Sequence, residues 1–143
     1  MKLILSVNKQ GKNKQAQPAH SWLNITEPLG WLQGWVSAGY GWCATHFVHN
    51  HRRADNARNS SCVVVDVDGD CTLEQFWNTD TAKSWCAATY TSASHTSSKH
   101  RFRAIFPLEL GLQSERQHRG AYWLVVDRLL AELGLEALED NCG

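Results

Sequence analysis

Residues 62–70 read Cys-Val-Val-Val-Asp-Val-Asp-Gly-Asp, and this stretch decides the fold. Three consecutive valines and a fourth at Val67 give strong β-propensity, and Gly69 ends the run, so the sequence predicts a strand over Cys62–Asp68. Side chains alternate along a strand, which puts Val63, Val65 and Val67 on one face and Val64, Asp66 and Asp68 on the other. The two aspartate Cα atoms would then stand roughly 6–7 Å apart, near enough for both carboxylates to reach one hard divalent cation. An acidic residue at a strand end often just marks a turn, and that reading suits Asp70 beside Gly69. It does not suit Asp66, which lies inside an apolar strand where an uncompensated carboxylate is costly.

Downstream of this strand, Thr72 and Gln75 form a capping box that opens a helix through Leu73, Phe76 and Trp77. Strands are expected over Cys86–Ser92 and Arg101–Pro107, and the connection His95–His100 has the length of an antiparallel hairpin loop. Ser114 and Gln117 make a second capping box, after which Trp123, Val126, Leu130 and Leu133 fall at helical spacing up to Gly134. Upstream, Lys2–Val7 reads as a strand and Asn8–Pro18 as a basic loop carrying Lys9, Lys12 and Lys14. Thr26 before Glu27 and Pro28 predicts a helix start, with Leu29, Leu32, Trp35 and Val36 at helical spacing and a stop near Gly39. Tyr40–Val48 is a further strand candidate, and His49–Ser61 a polar connector. This order of elements is α/β in the broad sense (α+β). It gives a mainly antiparallel, RRM-like sheet with flanking helices over 61–143 and a small basic α/β unit over 1–60, together one domain of 143 residues.

Composition bounds the function classes. With 43% hydrophobic and 20% charged residues and no apolar run near the ~20 residues a membrane span requires, a membrane protein is excluded and a cytoplasmic one expected. Five scattered cysteines without a CxxC argue for reduced thiols. The zero net charge conceals an asymmetry: residues 1–60 hold seven Lys/Arg against two Asp/Glu, and residues 61–143 hold seven against twelve. Cys43, His46, His49 and His51 have spacings that permit a shared zinc ion, but on a strand these four do not share a face. Most of the seven tryptophans are simplest as core residues, though an exposed one can stack a base.

A second constellation follows the acidic strand: Thr91, Ser92, Ala93, Ser94 and His95, then Lys99, His100, Arg101, Phe102 and Arg103. Hydroxyl, imidazole, ammonium and guanidinium groups around one hairpin suit a triphosphate. The bland alternative is a solvated hairpin tip with Arg101 and Arg103 on the exposed face of an edge strand.

The succession VVVDVDGD, YTSASH, HRFRAIFPL, a long helix and LEALEDNCG resembles the catalytic core of the archaeo-eukaryotic primase superfamily, in particular the primase-polymerases of plasmids, phages and mobile elements. The resemblance covers roughly residues 45–143. It implies DNA-directed nucleotidyl transfer from NTP or dNTP by a two-metal mechanism with Mg²⁺ or Mn²⁺. Asp66 and Asp68 would hold the metals, Asp140 would be the third acid with Glu139 as the competing choice, and His95 would contact the incoming triphosphate. Ser92, Ser94, Lys99, Arg101 and Arg103 would help bind the nucleotide. The family's Ser-x-His motif has Ala93 at its first position here, with Ser94 directly before His95. The family's chain normally continues past the third acid, so the sequence is read as a truncated core or fragment. Implied partners are a single-stranded DNA template or primer–template, nucleotides, and a helicase or the C-terminal region of a larger replication protein. Template phosphates would fall to Lys12, Lys14, Arg52, Arg53 and Arg58, with little base readout.

Two rivals stand beside this reading. A non-catalytic module that binds nucleic acid or nucleotide would keep the site's charge without turnover. A haloacid-dehalogenase-like phosphatase also places a DxDG motif at a strand end before a Thr, but here Asp70 and Cys71 intervene before Thr72 and about 60 residues precede the motif. A rolling-circle nickase is disfavoured because His49-Asn50-His51 lacks the hydrophobic residue between the histidines.

Overall fold

A computed structural model describes residues 2–9 and 22–138. Lys12, Lys14, Glu139 and Asp140 therefore lie outside the described residues. The fold is α+β with antiparallel sheets, and the chain forms two compact units. The first comprises Met1–Cys62 with Leu108–His118, and the second Val63–Pro107 with Arg119–Gly143. Among the described residues no helix is long and apolar enough to cross a membrane.

In the first unit β1 (Lys2–Asn8) is the middle strand of a three-stranded sheet, between β2 (Leu23–Pro28) and β3 (Gly41–Cys43), both antiparallel to it. Leu3, Leu5 and Val7 are buried. The expected helix start at Thr26 is corrected: Thr26 and Glu27 belong to β2, where they pair with Ile4 and Leu3. Backbone pairing with an apolar neighbour outweighs the local capping signal, and Pro28, which has no N–H to give a ladder, closes the strand instead. A 3-10 turn (Leu29–Trp31) leads into α1 (Leu32–Ser37), and Gly39 at φ 78° ends the segment. The single strand expected over Tyr40–Val48 is two short ones, β3 and β4 (His46–Phe47), the latter paired with β5 (Ala57–Arg58). Asn24 closes this region by imitating a strand, since its side chain donates to the Phe47 carbonyl (2.8 Å) and accepts from the Phe47 N–H (2.9 Å).

A second three-stranded sheet has the order β6-β8-β7, with β6 at Ser60–Asp68, β7 at Ala88–Thr91 and β8 at Arg101–Leu112, and from Val63 in β6 and up to Pro107 in β8 these strands belong to the second unit. Its helices are α2 (Leu73–Trp77), α3 (Asp80–Trp85) and, from Arg119 on, α4 (Glu115–Leu133). β7 is antiparallel to β8 with Tyr90 opposite Arg103. β6 also runs against β8: Asp66 meets Arg103, Asp68 meets Arg101, and the Gly69 N–H donates to the His100 carbonyl at 2.8 Å. The element order β-α-α-β-β-α with the third strand in the middle is the arrangement of three strands of an RRM-like sheet, as expected. The alternation read from the valines holds, because Val63, Val65 and Val67 are buried while Val64, Asp66 and Asp68 are half-exposed. Phe76 of α2 fills the buried face, its ring packing edge-on against Phe102 (5.3 Å) and Phe106 (6.3 Å) of β8. The Thr72–Gln75 capping box forms in both directions.

The second capping pair forms only in part. Ser114 accepts from the Gln117 N–H, but the Gln117 side chain accepts from Gln113. The fully buried residues of α4 are Tyr122, Val125, Val126 and Leu129; of the expected stripe Val126 is among them, while Trp123, Leu130 and Leu133 are only half-buried. The buried face is thus turned by about one residue from the expected one, a rotation that the helical period alone does not fix. Glu132 on α4 reaches α3, where it accepts from the N–H groups of Asp80 (2.6 Å) and Thr81 (3.2 Å) and from the Thr81 hydroxyl.

Candidate active site

The face of the second unit's sheet opposite Phe76 carries the chemistry. Odd-numbered residues of β8 share this face, so Arg101 and Arg103 lie on the side of Asp66 and Asp68 while Phe102 and Phe106 point at α2. Arg103 Nε donates to Asp66 Oδ1 at 2.6 Å, and Arg103 Nη1 to the Tyr90 hydroxyl at 3.2 Å. Arg101 Nε stands 2.7 Å from Asp68 Oδ1, an ion-pair distance without hydrogen-bond alignment, and both atoms are buried. Lys99 Nζ lies 3.9 Å from the same Asp68 oxygen. The cost of a carboxylate inside an apolar strand, from which a cation site is inferred for Asp66, is thus met in this structure by a guanidinium across the ladder. Burial works against the charge of Arg103, but the Tyr90 oxygen and the Asp66 carboxylate outweigh it and raise its pKa.

The reading of Arg101 and Arg103 as residues of an edge strand is corrected, since β8 is the middle strand. Twelve residues long, it has partners on both sides, and its cations are therefore set against named groups on each neighbour.

The turn between β7 and β8 presents His95. The Arg101 N–H donates to His95 Nδ1 at 3.1 Å, so that nitrogen carries no proton and Nε2–H is the donor left to the ring. His100 Nδ1 accepts from the Leu73 N–H at 3.0 Å in the same way, and the two imidazoles pack edge-on with centroids 4.8 Å apart. Ser92 and Ser94 lie in this turn with their hydroxyls 3.2 Å apart. Gly69 at the end of β6 has φ 85°, and a Cβ there would stand 2.5 Å from Lys99 Cε. Glycine at 69 therefore lets the end of the acidic strand turn under the lysine stem.

Asp66, Asp68, Ser92, Ser94, His95, Lys99, Arg101 and Arg103 are thus brought into one neighbourhood of the second unit. The sequence reading missed Tyr90, which the β7–β8 register sets against Arg103, and it gave His100 no role of its own, though the structure bonds that ring to the α2 N-terminus; neither contact has a local signature. Arg52, Arg53 and Arg58 belong to the first unit and are engaged locally. Arg52 lies 5.0 Å from the Trp22 ring, Arg53 pairs with Asp55 at 3.1 Å, and Arg58 donates to the backbone carbonyls of Asp55 and Ala57. His46 Nε2 lies 2.8 Å from the Ile25 carbonyl. Among the described residues no three His, Cys, Asp or Glu side chains converge on a common metal position, the Cys43/His46/His49/His51 set included. Burial and the neighbouring Asp70 push the Cys71 thiol up to about 11, and burial pushes Cys62 up to about 12, so neither supplies a thiolate at neutral pH.

Compared with family models, curated proteins and solved structures, the chain matches none of them.

Proposed function

We propose that this chain is a primase-polymerase catalytic core of the plasmid, phage or mobile-element type, transferring nucleotides from NTP or dNTP to a 3′-hydroxyl on a single-stranded DNA template. The observation that carries the reading is the meeting, on one sheet face, of Asp66 and Asp68 with Lys99, Arg101 and Arg103, at the end of the sheet where the β7–β8 turn carries His95. A metal–triphosphate complex needs such a set: carboxylate oxygens for a hard cation and charged donors for phosphate oxygens.

The residues fit Mg²⁺ or Mn²⁺. Both side chains at the strand end offer hard oxygens, and Asp68 Oδ1 is held by the cations of Arg101 and Lys99 without an aligned hydrogen bond, a contact that a metal cation could replace. When bound, such cations activate the attacking hydroxyl and neutralise the charge that develops on the leaving pyrophosphate. Asp66 and Asp68 hold them, with Asp140 or its competitor Glu139 as the third acid. His95 donates through Nε2–H to a phosphate oxygen while its Nδ1 stays tied to β8. Lys99, Arg101 and Arg103 balance the triphosphate charge, and Ser92 and Ser94 offer hydroxyl donors in the same turn. Template phosphates are met non-specifically by Arg52, Arg53, Arg58, Lys12 and Lys14. A helicase or a further region of a replication protein is the partner this activity calls for.

The test is incorporation of labelled nucleotides on primed and unprimed single-stranded DNA with Mn²⁺, comparing the wild type with Asp66→Ala plus Asp68→Ala. Incorporation by the wild type alone is the expected result. A wild type that binds nucleotide or DNA without incorporating would instead be a binding module.

A further inference from the structure

On the sheet face that carries Asp66 and Asp68, Lys99, Arg101 and Arg103 stand against them, so the two carboxylates meet at least as much positive charge as they carry. A free divalent cation approaching them meets guanidiniums already seated at 2.6 and 2.7 Å. Displacing them leaves two cations without counter-charge, on arginine side chains only 34% and 40% exposed. Water then screens them incompletely, and the like charge of the arriving metal adds repulsion. A triphosphate changes this balance, because its oxygens accept the planar, multidentate donors that the carboxylates release.

Resting on the metal–triphosphate reading above, we propose that Arg101 and Arg103 keep Asp66 and Asp68 closed to free divalent cations and release them only when a triphosphate takes the guanidiniums. The arginines exchange one anion for another and the carboxylates exchange guanidinium for metal, so each group keeps a counter-charge, and the total balances once the triphosphate and two divalent cations are bound together. Tyr90 keeps Arg103 on this face throughout, since its hydroxyl accepts from Nη1 and not from the Nε that faces Asp66. The buried, unaligned contact between Arg101 Nε and Asp68 Oδ1 marks the weaker of the two pairs and the first to exchange. Metal and nucleotide affinities are then positively coupled, each raising the other by the same factor.

The experiment is a Mn²⁺ titration followed by electron paramagnetic resonance, without nucleotide, on the wild type, Arg101→Gln plus Arg103→Gln, and Asp66→Asn plus Asp68→Asn. The wild type is expected to bind Mn²⁺ no better than the Asn variant, and the Gln variant about ten-fold tighter or more. A wild type that binds Mn²⁺ alone within two-fold of the Gln variant overturns the closure while leaving the metal site standing. If no protein binds Mn²⁺, even with a non-hydrolysable nucleoside triphosphate added to the wild type, the metal reading itself falls and takes the closure with it. A second measurement needs no substitution: the Arg103 Nε–H resonance of the wild type should stay in place on adding Mg²⁺ alone and move on adding Mg²⁺ with the triphosphate. Movement with Mg²⁺ alone overturns the proposal.

Discussion

Replacing Asp66 and Arg103 singly and together tests whether the cross-strand pair at the centre of the site exists as described. Arg103 Nε and Asp66 Oδ1 are 2.6 Å apart, with side chains 40% and 32% exposed, which places the pair between a solvated surface bridge and a buried one. Exposed pairs are worth about 0.2–1 kcal/mol and breaking a buried pair costs about 3–5 kcal/mol, so a coupling of about 1 kcal/mol is expected after discounting for solvent. Asp66→Asn should destabilise by about 1 kcal/mol, and Arg103→Gln, which also loses the bond to Tyr90, by about 2 kcal/mol. The double variant should then cost about 2 kcal/mol, not the 3 or so that independent sites would give. Urea denaturation followed by tryptophan fluorescence reads these differences, with Trp77, Trp85 and Trp123 as reporters in the second unit. The coupling should shrink but persist at high salt, because the contact is shorter than the Debye length of about 3 Å at 1 M. Additivity to within about 0.3 kcal/mol would refute the pair and, with it, the closure built on it.

Glu132 accepts two backbone N–H groups at the start of α3, and its hydrogen bonds to Thr81, helped by the backbone of Asp80 and Thr81 and by Arg128, hold its carboxyl below the usual 4.5. That stability is fully present above about pH 4.5 and is lost as the pH falls through the lower folded-state value, so urea midpoints of the wild type and Glu132→Gln should differ at pH 7 and converge in acid. Helix-capping contacts of this kind are worth about 1 kcal/mol, and an equal difference at every pH would show that the charge is not involved. Phe76→Ala removes a fully buried ring from contact with Phe102 and Phe106 and should cost about 3–5 kcal/mol by the same denaturation assay. A loss below about 1 kcal/mol would mean that α2 does not cover this face of the sheet.

Local sequence determined the elements whose signals are short-range and mutually consistent. The valine run sets β6 and its two faces, Thr72 and Gln75 open α2, and Gly69 is demanded by a positive φ. The hairpin after His95 follows from two β-prone segments around a short polar loop. Where two local signals compete, sequence does not decide: Thr26 looks like a cap but pairs with Ile4, and α4 buries Val126 as its period predicts but adds Tyr122, Val125 and Leu129 rather than Trp123, Leu130 and Leu133. Only tertiary structure shows which face the other strands add to the carboxylates. That Arg103 meets Asp66 depends on the register of two strands 37 residues apart, and that Tyr90 meets Arg103 depends on a second register. Residues 62–70 could therefore announce a pair of carboxylates on one side of a strand. Whether those carboxylates face solvent, a cation or an arginine is decided by long-range pairing, because the energy that compensates a half-buried charge comes from whatever group the fold carries to it.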